Sequence, residues 1–432
     1  GTLTGLVRED FGATLAVLES MTDPGAAEKP LREFASRPPP PAPPAPVARR
    51  LSWLRCTAAK LLAGKNYKDP LLTSCELPTP ADSASPASSS PRRATSIAAR
   101  TIVEVLGRAD LKGARLTAFR THAEGPDHRA REAALSLLET HDEVDAAPLL
   151  AAALDSGIPG VIGTAAEVLA KHPERASADT ARKRRKKDKK KDDDAPAASY
   201  GPPSPAVLKA LVTLLTRKTD TPDSELDDGL IDAAAALGAK DALPRIEELC
   251  HSPYPTTRDH AEKAIALLSG KKVECPAPPE GGPLPTEMHA FATAHPTLVL
   301  QTDAGEMTLL LDTALAPVAV TRVVELARAG YYDGMLVHRV VPGFVTQFGA
   351  PWGDGYGGPE GKLPLRCETS PLPFDPLRIG VALAGRDTGS SQLFIMHARF
   401  PHLDGKYALV GTAKGPWAAF VDGDLIHHVE VR

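Results

Sequence analysis

The stretch YYDGMLVHRVVPGFVTQFGAPWGDGYGGPEG, residues 331–361, decides the fold of the second half of this chain. Within it, Leu336–Val341 and Phe344–Gln347 predict two strands joined by a Pro-Gly turn. Because strand side chains alternate between the two faces, we expect His338 and Arg339 to point to opposite sides of the sheet. An arginine set among exposed apolar side chains indicates that something binds on that side.

The flanking segments predict a barrel. Thr297–Gln301 and Glu306–Leu311 have the apolar or alternating pattern of strands, with a turn between them. Ala316–Ala329 has helical spacing and stops at a glycine. One helix among many short strands is typical of a closed or nearly closed barrel. The glycine loop at 353–358 lacks the lysine and the strand–loop–helix context of a phosphate-binding loop, so we reject nucleotide binding.

Three motifs in this half resemble the signature of the cyclophilin family of peptidyl-prolyl cis-trans isomerases. The segment around Arg339 is similar to the family pattern FHRVVPGFxxQGGDPxGxGxGG. GVALAGRDTGSSQLFI (380–395) is similar to GxxxMAxxGxxxxGSQFFI, and LDGKYALVG (403–411) is similar to LDGxxxVFG. Their order and spacing also agree. The resemblance implies a mainly-β, cyclophilin-like closed barrel with flanking helices over residues 287–432.

The resemblance also implies a chemistry. Rotation about an X–Pro bond faces a barrier of ~18–20 kcal/mol, because it breaks amide resonance. A fixed donor aimed at the proline nitrogen binds the twisted amide better than the planar one, so neither a metal nor another cofactor is expected. By correspondence with the family, Arg339 is that donor, and Gln347 and Gln392 orient it and hydrogen-bond the peptide. The residues implied to bind the Pro-containing protein or peptide substrate are Phe344, Val345, Phe394 and Leu403 around the proline ring, the backbone at Ala382, Leu383 and Ala384, and His402 and Tyr407 nearby.

The sequence departs from the family pattern close to these residues. Val337 replaces the usual aromatic before His338, and Phe348 and Ala350 stand where Gly and Asp are usual. Leu393 replaces a Phe. Because the bulky Phe348 could reshape its strand, a second hypothesis stays open: a scaffold that binds Pro-containing segments without useful turnover.

Two departures fall on the substrate residues themselves. His402 occupies the position at which cyclosporin-sensitive members have Trp, whose indole N–H contacts the drug, so we expect weak cyclosporin binding. Tyr407 replaces a His of many members, and an aromatic with a polar tip should serve there. His338 is interpreted as a satisfied structural histidine rather than a catalyst.

The first half of the chain is predicted to be all-α. Short amphipathic helices at 99–275 end in small residues followed by Leu137, Leu169, Leu237 and Leu268, whose positions fit a repeat interrupted once. The segment resembles HEAT-type helical repeats, which implies an α-solenoid and a protein partner bound on it. An irregular helical bundle is the alternative. The interruption, at 176–204, contains RKRRKKDKKKDDD, which we interpret as a disordered charged loop rather than a nucleic-acid arm, since it lacks aromatics for base stacking.

The chain is therefore interpreted as multidomain, a helical solenoid followed by the barrel. Residues 1–98 are assigned to helical segments with Pro/Ser-rich linkers, and the Pro/Gly-rich segment 276–286 to the main linker. The prolines at 38–46 predict an extended segment. No apolar stretch approaches the ~18–20 residues of a membrane span. The chain begins with glycine, so a targeting peptide, if one was removed, is invisible.

The five cysteines permit two interpretations. Cys56 and Cys75 could pair, as could Cys250 and Cys275, and two local disulfides would suit the bacterial periplasm or cell envelope. Scattered reduced thiols in the cytoplasm are the alternative. A zinc site that uses Cys250 and Cys275 with His251 and His260 is disfavoured, because adjacent residues cannot easily bind one ion. An Ala/Pro/Arg-rich composition is typical of bacterial proteins from GC-rich genomes.

Overall fold

A computed structural model describes residues 11–37, 45–77, 96–177, 201–217, 223–277, 295–360 and 364–432. The charged run at 182–194, most of the 276–286 linker and residues 287–294 lie outside these ranges. The assigned domain boundaries stay predictions. Within the described ranges, no helix has both the length and the apolar character that crossing a membrane requires.

The described residues before position 78 form four helices. Helix α1 packs on α3 and places Phe11, Leu15 and Leu18 in one apolar cluster with Leu54, as its helical spacing predicts. The proline-rich stretch at 38–46 was predicted to be extended. Its last two residues are instead helical, because α3 begins at Ala45. Proline is tolerated in that first turn because the N–H it lacks has no partner there. These helices are α1 (Phe11–Ser20), α2 (Glu28–Ser36), α3 (Ala45–Ala63) and α4 (Pro70–Ser74).

The following helices pack in two layers. In the first layer, α3, α5, α7, α9, α11 and α13 each lie against the next; in the second, α8 contacts α10 and α10 contacts α12. Buried alanines let the helices approach closely, and Leu169, Leu237 and Leu268 fill the shared core. The segment before residue 99 joins the same layer through α3. Membership of the HEAT class stays a prediction. The helices are α5 (Ile97–Leu106), α6 (Ala114–Ala123), α7 (His128–Leu137), α8 (Ala147–Leu154), α9 (Pro159–Lys171), α10 (Pro205–Thr216), α11 (Ser224–Leu237), α12 (Leu243–Leu249) and α13 (Pro255–Ser269).

Two disulfides close loops in this helical region. Cys56 is bonded to Cys75, and Cys250 to Cys275. Cys367 is a free thiol. The structure therefore agrees with the disulfide interpretation of the cysteines. Because Cys250 and Cys275 are bonded to each other, they cannot be ligands of the zinc site considered above.

The second half is a closed barrel, as predicted. Its strands are hydrogen-bonded in the order β1-β2-β7-β5-β6-β4-β3-β8. Gly343 has a φ of +73° in the tight turn between β3 and β4, a conformation that favours glycine. The flanking helix α14 (Pro317–Arg328) packs on β8. The strands are β1 (Thr297–Thr302), β2 (Gly305–Leu311), β3 (Met335–Val341), β4 (Val345–Phe348), β5 (Arg378–Val381), β6 (Leu393–Met396), β7 (Leu409–Lys414) and β8 (Leu425–Val431).

Arginines of the helical region hold the barrel in place. Arg50 Nη2 donates to Asp424 Oδ2 over 2.7 Å, and Asp424 is fully buried. Arg49 Nε donates to the carbonyl of Asp422 over 3.0 Å, and Arg100 Nη1 to its carboxylate over 3.2 Å. These contacts lie in the loop before β8, which is next to β3, the strand that carries the predicted catalytic arginine.

Candidate active site

A chain of side-chain hydrogen bonds fixes the predicted catalytic arginine. Arg339 on β3 lies opposite Gln347 on β4, and its Nη1 donates to Gln347 Oε1 over 3.3 Å. Gln347 Nε2 donates to Gln392 Oε1 over 3.0 Å, and Gln392 Nε2 donates to the carbonyl of Gly355 over 2.5 Å. Because every amide in this series both donates and accepts, the orientation of each is determined by its neighbours. Arg339 is exposed, whereas His338 beside it is buried. The β3–β4 pairing shifts register between Val337 and Arg339 and both residues line one cavity, so their position on opposite faces stays a prediction.

An apolar slot opens beside Arg339. It is a cavity of about 320 Å³. The Phe394 and Tyr407 rings meet edge to face with centroids 5.4 Å apart, and the Arg339 Cζ lies 5.9 Å from the Phe344 ring centroid. A small, largely apolar ring fits such a space, with a cation at its mouth. The predicted site residues that line the slot are Arg339, Phe344, Val345, Gln347, Ala382, Leu383, Phe394, His402, Leu403 and Tyr407.

The predicted backbone contacts are only partly available. The Ala382 N–H donates to the carbonyl of Gln392 over 2.9 Å, and the Ala384 N–H donates to Thr388 Oγ1 over 2.9 Å. Neither N–H can therefore also serve a substrate. Pairing with an extended peptide along this edge must use the remaining backbone groups of the segment.

His338 is not placed to act as an acid or a base. Burial lowers its pKa to about 3, with the Arg129 and Arg339 charges acting in the same direction. The imidazole is therefore neutral at physiological pH. The Gln392 side chain, which also bonds Gln347 and Gly355, is its hydrogen-bonding neighbour. The interpretation as a structural histidine fits this burial.

Comparisons with known proteins agree with this geometry. The family described as "Cyclophilin type peptidyl-prolyl cis-trans isomerase/CLD" matches residues 297–415. A peptidyl-prolyl cis-trans isomerase of Helicobacter pylori is 45% identical over 144 residues, which are 32% of this chain and 86% of that protein. The isomerase B of Bacillus subtilis is 40% identical over 133 residues, 30% of this chain and 93% of that protein.

The chain belongs to the cyclophilin family.

A crystal structure of a cyclophilin-type isomerase from Cryptosporidium parvum also matches, with 24% identity and a TM-score of 0.30, over 32% of this chain and 96% of that one. The family model covers strands β1 to β7 of the barrel. The cyclophilin domain therefore makes up the C-terminal part of this chain.

The departures at Val337, Phe348, Ala350 and Leu393 lie in the core, whereas those at His402 and Tyr407 lie in the slot. Phe348 is 1% exposed and packs in the barrel against Tyr332 and Trp417, with ring centroids 6.0 and 6.4 Å away. Val337 is directly opposite Phe348 in the β3–β4 register, so a small residue on one strand faces the large residue on the other. Ala350 is also buried. The small Val337 compensates for the large Phe348, so the volume that the pair fills in the core is conserved. The structure therefore gives no sign that Phe348 distorts the site.

The structure adds residues that sequence reasoning missed. Arg129, Asp223, Glu225 and Tyr254 of the helical region line a second cavity beside the slot, together with Ala384 and Gln392 of the cyclophilin domain. Lys406 lines the slot itself. No motif marks the helical residues, because they reach the site only through packing between distant parts of the chain.

Proposed function

We propose that the cyclophilin domain catalyses cis–trans isomerisation of X–Pro bonds in protein clients. The observation that carries the proposal is the Arg339 guanidinium, held by Gln347 at the mouth of an apolar slot that has room for a proline ring. No acid, base or nucleophile is needed, because the barrier of ~18–20 kcal/mol reflects lost amide resonance rather than a broken bond.

The arrangement favours the twisted amide over the planar one. When the bond rotates, the proline nitrogen becomes pyramidal and gains a lone pair that can accept a hydrogen bond. Arg339 is always protonated, and its planar fork can donate to that nitrogen while a second N–H holds a carbonyl oxygen of the peptide. The slot meanwhile holds the ring still, so that rotation occurs on the other side of the bond. An interaction that exists only in the twisted state lowers the barrier directly.

Replacement of Arg339 tests the proposal. We expect Arg339→Ala to lower kcat/KM by about 10²–10³-fold, the range seen when one transition-state donor is removed. Arg339→Lys should keep the charge but lose the fork, and give an intermediate rate. Exchange between cis and trans resonances of an Ala-Pro peptide, followed by NMR, measures the rate without a coupling protease.

Arg366→Ala is the matched control. Arg366 is an exposed arginine of the same domain that lines neither cavity, so its loss should leave the rate unchanged. Equal rates for the wild type and Arg339→Ala would exclude the proposed catalysis. Peptide binding without turnover by the wild type would instead identify a scaffold.

Two further parts of the proposal concern the rest of the chain. The layered helices offer an extended protein-binding platform, which supports a role in holding clients or partners near the cyclophilin domain. The two disulfides support an oxidising compartment such as the periplasm or cell envelope. Mass spectrometry of the unreduced protein purified from its own cells tests the second point, since free thiols at all five cysteines would contradict it.

A further inference from the structure

The part of β3 that carries Arg339 lies beyond the end of its ladder with β8. That ladder extends only to the Leu336–Leu425 pair, three residues before Arg339. On the opposite edge, the pairing of β3 with β4 shifts register between Val337 and Arg339. A register shift of this kind bends the strand and changes the direction of the side chains that follow it. The direction of Arg339 therefore depends on the contacts that hold β3 on the side of β8.

The loop at 422–424 takes over where the ladder ends. The Gly423 N–H donates to the carbonyl of Val337 over 2.6 Å. Asp422 Oδ1 accepts from the N–H of Val340, the residue directly after Arg339, over 2.5 Å. A bond from a backbone N–H to a carboxylate is charge-assisted, and it is therefore stronger than a bond to a neutral acceptor. The loop thus holds the backbone on both sides of Arg339.

Asp422 is in turn held by two helices of the helical region. Arg100 Nη1 on α5 donates to Asp422 Oδ2 over 3.2 Å, and Arg49 Nε on α3 donates to the Asp422 carbonyl over 3.0 Å. The Arg100 and Asp422 side chains are 35% and 19% exposed, so water screens their pairing only in part. Arg100 also pairs with Glu104, which Lys60 on α3 binds over 2.7 Å. The position of Arg100 is therefore set by a network of charges on α3 and α5.

We infer that Arg100 and Asp422 are positioning residues for Arg339, which set the direction in which its guanidinium meets the twisted amide. The inference rests on the proposed function, because it assigns these residues to the same reaction. Neither residue lines the slot or the second cavity, so both act through the backbone of β3 and not by contact with the substrate. The helical region thereby becomes a part of the catalyst.

Replacement of Arg100 by alanine tests the inference. We expect kcat to fall about tenfold, because a displacement of a catalytic group by about 1 Å can slow a reaction by up to about 10²-fold. The dissociation constant of the peptide should change by less than about twofold, because the slot that holds the proline ring does not include Arg100. NMR exchange over a range of Ala-Pro peptide concentrations gives kcat, and calorimetry gives the dissociation constant, both with the full chain.

Conservative variants separate the charge from the hydrogen bond. Arg100→Lys keeps a cation that can reach the Asp422 carboxylate, so kcat should recover to within about threefold of the wild type. Asp422→Asn keeps an acceptor for the Val340 N–H but loses the charge that pairs with Arg100. Its kcat should lie between those of the wild type and Asp422→Ala, which loses both side-chain contacts. No recovery in either conservative variant would count against the positioning role.

Arg245→Ala is the matched control. Arg245 on α12 is also partly exposed, donates to the carbonyl of Leu215 over 3.0 Å and pairs with Glu248 over 2.8 Å, and both partners lie in the helical region. Its loss should destabilise the protein about as much as the loss of Arg100, as urea unfolding measures, and leave kcat unchanged. An equal fall in kcat for the two variants would overturn the inference, because lost stability would then explain the slower reaction.

A double-mutant cycle identifies the route of the effect. In an Arg339→Ala background, Arg100→Ala should lower kcat by less than about twofold, because the side chain that it positions is already absent. A tenfold fall in both backgrounds would overturn the inference, since Arg100 would then act independently of Arg339.

The outcomes separate this inference from the proposed function. An active wild type with an equally active Arg100→Ala would overturn the positioning role and leave the isomerase intact. If the wild type has no turnover, the isomerase proposal fails, and the NMR signals of the Val340 N–H and the Arg339 Nε–H decide the positioning role. Both signals should shift in Arg100→Ala and stay in place in Arg245→Ala. Unshifted signals in Arg100→Ala would show that Arg100 does not position Arg339.

Discussion

Replacement of Gly163 by alanine probes the junction between the helical region and the cyclophilin domain. Gly163 lies in α9, and a Cβ added there would be 2.3 Å from Tyr356 Oη and 2.5 Å from Tyr356 Cζ. Ordinary van der Waals contact begins at 3.4 Å, so the tyrosine or the helix must move by roughly 1 Å. Tyr356 belongs to the glycine loop that lines the second cavity.

Two opposing terms set the size of the effect. Alanine stabilises the interior of a helix by about 1 kcal/mol relative to glycine. Overpacking a well-filled contact costs about 1–3 kcal/mol. We therefore expect Gly163→Ala to lower the free energy of unfolding by up to about 2 kcal/mol. Gly229→Ala in α11 is the control, because its Cβ would meet only the Ala166 Cβ at an ordinary 3.7 Å, and the helix gain of about 1 kcal/mol should appear undiminished.

A double-mutant cycle identifies the contact. In a Tyr356→Ala background the obstacle is gone, so Gly163→Ala should change sign and become stabilising by up to about 1 kcal/mol. Urea unfolding followed by circular dichroism measures all four proteins of the cycle. If Gly163→Ala stabilises the unaltered protein as much as Gly229→Ala does, the glycine loop does not dock on α9, and the reasoning about the second cavity fails with it.

Three other perturbations address the buried charge, a disulfide and the slot. Burial raises the pKa of Asp424 to about 6 despite Arg50. The stability that the protonated carboxyl contributes is therefore full below pH ~4 and is lost as the pH rises through 6. Asp424→Asn does not titrate, so between pH 4 and pH 7 its free energy of unfolding, measured by urea titration, should rise by roughly 2–4 kcal/mol relative to that of the wild type. A change in the other direction would mean that Arg50 dominates. Replacing both Cys56 and Cys75 with alanine removes their disulfide and should lower the free energy of unfolding by about 3 kcal/mol, as loop-closure entropy predicts. An unchanged midpoint of urea unfolding would count against a bonded pair. His402→Trp should tighten cyclosporin binding about tenfold in a fluorescence titration, because the indole N–H restores one hydrogen bond, and no gain would show that another departure blocks the drug.

Local patterns were sufficient to predict the elements of the barrel. The strands around Arg339 and the helix Pro317–Arg328 follow from alternation and helical spacing, which depend only on neighbours in sequence. The resemblance to cyclophilins then gave the composition of the slot. The Val337–Phe348 exchange could not be seen in the same way, because its two members lie on different strands and only their register shows that one compensates for the other.

Packing between distant segments was beyond the reach of the sequence. Ala45 begins a helix inside a proline-rich stretch because the first turn needs no N–H from proline, and α3 then packs on α5. Asp223 and Glu225, which line the second cavity, carry no motif. Their position beside Arg339 depends on how the α9 and α11 helix ends meet a barrel loop more than a hundred residues further along the chain.

The way in which the two parts of the chain meet has a consequence for the active site. The loop that the arginines of the helical region hold is also hydrogen-bonded to the strand of Arg339: Asp422 Oδ1 accepts from the Val340 N–H over 2.5 Å while its Oδ2 accepts from Arg100. The Gly423 N–H donates to the carbonyl of Val337 over 2.6 Å. The Arg50–Asp424 pair of the same loop is buried, and removing one partner of such a pair is strongly destabilising because it leaves the other charge without compensation. The helical region therefore fixes the orientation of β3 from behind, while Arg129, Asp223 and Glu225 line the second cavity beside Arg339. A displacement of the helices should change the position of Arg339 and the shape of that cavity together.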